Sequence, residues 1–388
     1  MALTGPADRA PLGPPAGLEP GLGQIAGALA RQAEFQRCEP AVDPWQYLVD
    51  RAAVSGFSRR GDVSCGGASR LLPTRDGWVA VSLSREADLD LVPAWLALSA
   101  PSGDVWADVA GRLRHLPAAE VVSRARLLGL PVAVPGEVAP CDGDHRPEPD
   151  AVRGGSLIDA TGLLVLDLSS LWAGPLCSHI LGSFGARVIK VESFGRPDGA
   201  RQGPPAFFDL VNGGKEGVAF DFTSPGELVR LRCLLARADI VIEGSRPRAL
   251  AQLGILPDAV IAHSGGVWVS ITGYGREGPG ADWVAFGDDA AVAGGLVAWH
   301  EGRPCFCADA VADPLTGMTA ALAALAAKAD GRSGVLDISM ARVAADFGGP
   351  TQPVPDEALP PRPRARVPAA SAPRLGEHND SVFAEFLP

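Results

Sequence analysis

One carboxylate stands out by its setting. Asp313 lies in the run Ala308-Asp309-Ala310-Val311-Ala312-Asp313-Pro314-Leu315-Thr316-Gly317-Met318, which passes into an alanine-rich stretch from Thr319 to Lys328. Aspartate is a favoured helix N-cap, and proline suits the position after it, because its missing N–H would have no intrahelical partner there. The spacing predicts that Asp313 caps a helix. It also allows a second role: a carboxylate beside free N–H groups and the positive end of the helix dipole stays ionised near neutral pH and can act as a nucleophile.

Other reactive side chains form weaker patterns. The seven cysteines are odd in number and scattered, which is not a disulfide framework. Cys305-Phe306-Cys307 is the one close pair, and with no second Cys or His cluster at ligand spacing no metal site is expected. Alternation along a strand accounts for it. No Gly-x-Gly-x-x-Gly or Gly-x-x-x-x-Gly-Lys-Ser/Thr motif occurs, which argues against a nicotinamide dehydrogenase and a P-loop enzyme.

The elements that must position these residues divide into two kinds. Leu71 to Leu83 reads as a hairpin around Asp76-Gly77, and helical spacing recurs over Leu89 to Leu98, Trp106 to Leu116 and Pro117 to Gly129. This is an α+β unit. From Leu163 the pattern changes to strand and helix in alternation: strands over 163–168, 186–192, 218–222, 239–243 and 267–272, with helices between them, the first over 175–184. Continuous apolar strands and βαβ repetition predict an α/β fold with a Rossmann-like open parallel sheet, whose ligands bind at the carboxyl ends of the strands. The net charge of −11 argues against nucleic acid and anionic membranes as partners. No apolar run reaches the roughly 20 residues of a membrane span, and a cytoplasmic, reduced protein is expected.

Taken in order, Val165-Leu166-Asp167-Leu168, Ala173-Gly174-Pro175, Gly185 to Glu192, Ala238 to Glu243 with Arg246-Pro247, Ser270 to Gly275 with Gly278-Pro279, and Asp337-Ile338-Ser339-Met340 resemble the family III CoA-transferases, the CaiB/BaiF group. The resemblance implies that Asp313 attacks an acyl-CoA thioester and that CoA passes to a carboxylic acid through covalent aspartyl intermediates. It implies coenzyme A as substrate with no permanently bound cofactor, and a homodimer, in the family an interlocked one. Trp172, Ala173, Gly174, Arg246 and Ala249 match positions that line the CoA site in relatives. A basic residue usual after the second strand is Ser193 here, leaving Arg196 or Arg201 as phosphate contacts, or as ordinary surface arginines. Two alternatives stay open: an α-methylacyl-CoA racemase, disfavoured because Gly287 stands at the place of the racemase histidine, and a catalytically silent acyl-CoA binder.

The chain order departs from the family, since the small unit comes first, as in a circular permutation or a fragment of a tandem fusion. The expected organisation is a flexible N-terminus (1–36), a small α+β domain (37–139), a linker (140–155), a Rossmann-like CoA-binding and catalytic domain (156–347), a proline-rich linker (348–371) and a C-terminal segment returning to the large domain (372–388). The spacing of Trp45, Leu48, Val49 and Ala52 suggests a packing helix and nothing more.

Overall fold

The computed structural model describes residues 2–38, 43–98, 102–140, 156–352 and 361–387. The expected linker over 140–155 lies, apart from Pro140, outside the described residues. Along the chain come helices α1 (Leu18–Gln36) and α2 (Pro44–Ser55). The hairpin β1 (Ser69–Pro73) and β2 (Trp78–Ser82) follows, with β3 (Val132–Ala133) added antiparallel to β2. Helices α3 (Glu86–Leu96), α4 (Val105–Leu113) and α5 (Ala118–Leu127) cover this sheet, and Val79, Val81, Trp95, Val109 and Val121 form its own core.

The larger unit alternates as the sequence predicts: β4 (Leu164–Asp167), α6 (Ala173–Ser183), β5 (Arg187–Ser193), α7 (Pro205–Asn212), β6 (Glu216–Phe220), α8 (Pro225–Leu235) and β7 (Ile240–Glu243). Then come α9 (Pro247–Gln252), α10 (Pro257–Ser264), β8 (Val267–Thr272), α11 (Gly287–Ala293), the hairpin β9 (Val297–His300) and β10 (Arg303–Phe306), α12 (Ala312–Ala329), β11 (Gly334–Ser339), α13 (Met340–Asp346) and α14 (Asn379–Phe386). Six strands form one parallel sheet in the order β6-β5-β4-β7-β8-β11. Counted within the sheet this is the 3-2-1-4-5-6 order of dinucleotide-binding folds, with its switch point between β4 and β7. Every residue of β4, β7 and β8 is buried, because helices cover both faces.

On one face α1, α6 and α12 pack together through Leu22, Ile25, Leu176, Ile180, Leu315 and Met318. Helix α12 is apolar on nearly all sides, as a helix in the middle of a core must be. Its small residues let α6 approach closely: a Cβ on Gly317 would sit 2.6 Å from the Ala173 carbonyl oxygen. On the other face α8 and α14 bury Leu231, Leu234 and Val382 against Trp268. The start of α14 also covers the sheet edge, where Asn379 exchanges hydrogen bonds with Ala219 (2.8 and 3.0 Å) and the preceding His378 with Gly217 (3.0 and 2.8 Å). An uncovered edge strand would invite pairing with another chain.

Two findings differ from the sequence reading. Within residues 1–36, expected to be flexible, α1 buries Leu18, Leu22, Ile25 and Leu29 in the large core, and Leu3 and Thr4 are buried as well. The strand expected over 218–222 pairs over 216–220, because the register with β5 runs from Ile189↔Glu216 to Ser193↔Phe220.

Candidate active site

Asp313 is not the cap of its helix. Helix α12 begins at Ala312, Val311 precedes it without a side-chain cap, and the Asp313 carboxylate instead accepts the N–H of Gly287 at the start of α11. That approach requires glycine, since a Cβ at position 287 would lie 2.2 Å from Asp313 Oδ2 and 2.4 Å from the Ala310 carbonyl oxygen. A histidine has no room there in this arrangement. Asp313 is half-buried, and burial pushes its carboxyl up to about 7, with Asp288 and Asp309 adding to the rise. Arg51 and the Gly287 N–H oppose it. Free N–H groups and the helix dipole are expected to keep Asp313 ionised near neutral pH; burial works against them and brings the group to titrate near neutrality.

The loop leading to Asp313 is held from both sides. Ala308 (φ 55°) and Ala310 (φ 43°) adopt left-handed backbone that L-residues other than asparagine and aspartate seldom take, so contacts must fix it. Thr4 Oγ1 accepts the Ala308 N–H (3.0 Å), the Cys65 thiol donates to the Ala308 carbonyl (3.3 Å), and Asp288 accepts the Ala310 N–H (3.0 Å). Between the two alanines, buried Asp309 receives a two-point contact from Arg51 of α2, Nε at 2.8 Å and Nη2 at 2.6 Å. The helix read as packing only thus supplies a cation to the site. Its partner lies 258 positions away, and no local pattern could reveal that.

A second acidic pair ties α11 to the small sheet. Ser69 Oγ donates to Asp288 (2.9 Å), Ser82 Oγ donates to Asp289 (2.8 Å), and the two hydroxyls are 2.9 Å apart. Two hydroxyl hydrogens cannot fill all of these contacts while both carboxylates are ionised. The missing proton belongs on one of the two carboxyls, and burial raises the pKa of both, that of Asp289 to about 7.

At the switch point the loops after β4 and β7 meet, with Gly244 packed close to Ser169. Asp167, fully buried, anchors the first loop through Ser169 and through Lys215 Nζ (2.9 Å), whose ammonium is pushed down to about 8 by burial. Trp172 is buried edge-on against Phe207 (5.2 Å), so it fills core, and the Arg51 guanidinium lies 5.1 Å from its ring centroid. Ala173 and Gly174 are buried at the start of α6, and Gly174 leaves no room for a Cβ against Ser169 (2.0 Å). Trp172, Ala173 and Gly174 thus share one side with Asp313, linked by Arg51 and by the α6–α12 contact.

Arg246 and Ala249 lie at the start of α9, after β7, Arg246 exposed and Ala249 half-buried, and no contact joins them to Asp313 among the described residues. Burial and the neighbouring Arg248, Arg85 and Arg196 all lower the pKa of Arg246. Arg85 comes from the small unit, where it is paired with buried Asp88 (Nε at 2.9 Å) and donates to the Gly129 carbonyl. Arg201 is committed to Glu192 (2.9 and 2.6 Å) and stacks over Phe208, whereas exposed Arg196 belongs to the cluster around Arg246. Among the described residues no group of His, Cys, Asp and Glu is placed to hold a metal ion, and no helix is long and apolar enough to cross a membrane.

A Rossmann-ordered sheet with a half-buried aspartate at the start of a helix packed on it defines the class: an α/β fold of the kind that binds ligands at its strand ends. The family model of CoA-transferase family III matches residues 161–373, and the chain belongs to that family. It is 29% identical over 191 residues to the succinyl-CoA–D-citramalate CoA-transferase of Chloroflexus aurantiacus, covering 45% of this chain and 48% of that protein. It is 33% identical over 183 residues to the (R)-2-hydroxy-4-methylpentanoate CoA-transferase of Clostridioides difficile, covering 43% and 45%. A CaiB/BaiF family protein from Brucella suis aligns at 28% identity with a TM-score of 0.45, over 48% of this chain and 54% of that one. The chain spans about half the length of the curated relatives it matches.

Proposed function

We propose that this protein is a CoA-transferase that moves CoA from an acyl-CoA donor to a carboxylic acid through covalent intermediates on Asp313. The observation that carries the reading is the placement of that carboxylate: accessible, at a helix start, cleared by Gly287 and titrating near neutrality. In the first step an Asp313 oxygen attacks the donor thioester carbonyl, the C–S bond breaks, and an acyl-aspartyl anhydride forms with CoA thiolate. The thiolate attacks the aspartyl carbonyl, releasing the donor acid and leaving an aspartyl-CoA thioester. The acceptor carboxylate attacks that thioester and expels the thiolate, which then takes the acceptor acyl group and frees Asp313. No oxidant or external proton donor is needed, and each step is an acyl exchange through an ionised nucleophile.

The phosphates of CoA are assigned to the basic cluster of Arg196, Arg246 and Arg248, which lies at strand ends where an open parallel sheet binds ligands. It takes residues 156–347 as the CoA-binding and catalytic unit, 37–139 as the small unit, and a homodimer as the working form. The test is incubation with acyl-CoAs followed by hydroxylamine and peptide mass spectrometry. A hydroxamate at Asp313 is expected. CoA binding without any adduct would indicate a silent binder, and exchange of α-protons without an adduct would indicate a racemase.

A further inference from the structure

The reaction brings anions to an acidic place. Asp288 and Asp309 both act on Asp313, and at each step either a substrate carboxylate or the CoA thiolate stands beside it. Like charges repel strongly where water is partly excluded. A cation is required, and the structure offers one from an unexpected source.

Arg51 lies on α2, outside the residues 161–373 that match the family. Its bonds to Asp309 use the Nε and Nη2 edge of the guanidinium. The remaining group, Nη1, makes no hydrogen bond among the described residues. The plane is held by Trp172 at 5.1 Å and Phe57 at 6.0 Å, and the side chain remains 29% exposed although Asp309 is completely buried. A guanidinium fixed along one edge presents its other edge as a preformed fork for a second carboxylate. Lysine has no equivalent, because a single ammonium cannot span two planar carboxylates in fixed geometry.

We propose that Arg51 is the substrate-carboxylate receptor of this site: Asp309 holds one edge of its guanidinium, and the outer edge takes the carboxylate of the acceptor acid before attack and of the donor acid as it leaves. This rests on the CoA-transfer reading and deepens it. The N-terminal part of the chain thereby completes the wall facing Asp313 from within the same polypeptide. Arg51 pairs an incoming anion while Asp309 neutralises the resting guanidinium, so the empty site does not hold an uncompensated charge.

The experiment uses Arg51→Lys and Arg51→Gln in the full chain, with two separate readouts. The first is formation of the hydroxylamine-trapped adduct at Asp313 from acyl-CoA alone, and the second is KM for the acceptor acid at saturating acyl-CoA. In Arg51→Lys, which keeps the charge beside Asp313, loss of the two-point contact predicts an acceptor KM raised about ten- to a hundredfold, with the adduct still formed and KM for acyl-CoA within about twofold; Arg51→Gln, which also removes a charge that lowers the Asp313 pKa, should slow adduct formation as well. An unchanged acceptor KM in a folded Arg51→Lys protein overturns the proposal, as does an equal rise in both KM values. If Arg51→Gln fails to fold, Arg51→Lys, which keeps the charge on α2, decides alone. Failure of the wild-type protein to form any Asp313 adduct would instead overturn the underlying function, so the two failures are separable.

Discussion

Replacing Gly287 by alanine perturbs the site with a single methyl group. Gly287 is not in the left-handed region of backbone space, so alanine is conformationally admissible and the effect is one of contact alone. The added carbon would lie 2.2 Å from Asp313 Oδ2, 2.4 Å from the Ala310 carbonyl oxygen and 2.8 Å from Ala310 Cβ. Non-bonded carbon contacts settle near 3.5 Å or more, so the shortfall at Asp313 is on the order of 1 Å. The Ala310 backbone is held by Asp288 and has no rotamer to change, hence the Asp313 carboxylate must move. Overpacking of this kind costs about 1–3 kcal/mol of stability. A displacement of about 1 Å at a nucleophile costs roughly a hundredfold in rate. Moving Asp313 also weakens its bond from the Gly287 N–H, one of the two contacts that lower its pKa, so the pH at which activity appears shifts upward. The assay is kcat/KM for CoA transfer across pH 5 to 9, with urea unfolding of the same sample. Wild-type activity with an unmoved pH profile would refute the account of this contact.

Two further outcomes follow from the charges around the site. Asp289 has a folded-state pKa raised to about 7 by burial, above the ordinary carboxyl value, so its contribution is fully present at low pH. Stability should then fall as pH rises from the ordinary carboxyl range through about 7, and Asp289→Asn should flatten that slope in pH-dependent urea melts. Arg246→Ala should raise KM for acyl-CoA about five- to tenfold while leaving the acceptor KM unchanged, and its effect should shrink in high salt; equal effects on both substrates would remove Arg246 from the phosphate cluster.

Much of the architecture was legible because it is local. The continuous apolar run ending at Asp167, the glycine after Phe184 and the capping sequence at Ser224 mark strand, stop and start within a few residues, and the sheet forms accordingly. The hairpin likewise forms around Asp76-Gly77, although neither residue takes the positive φ that the pair offers. Asp313 itself was legible as a carboxylate at a helix start, but its bond to Gly287, which lies on another helix, was not. The N-terminal run of proline and glycine gave no periodic signal, yet Leu3 packs with Ala52 and Cys65, and Thr4 accepts a hydrogen bond from the loop that leads to Asp313. The Ser69–Asp288 and Ser82–Asp289 bonds join residues more than two hundred positions apart, where spacing carries no information. What remained hidden was the set of side chains converging on Asp313 from parts of the chain that precede the family match.

The central claim is that an oxygen of Asp313 passes through the reaction. When the acceptor acid carries oxygen-18 in its carboxylate, the sequence of acyl exchanges leaves one labelled oxygen on Asp313 when the acceptor becomes its CoA ester. Mass spectrometry of the peptide containing Asp313 after turnover should show this label, accumulating toward two oxygens with repeated cycles. Product formation with an unlabelled Asp313 would contradict the covalent aspartyl route.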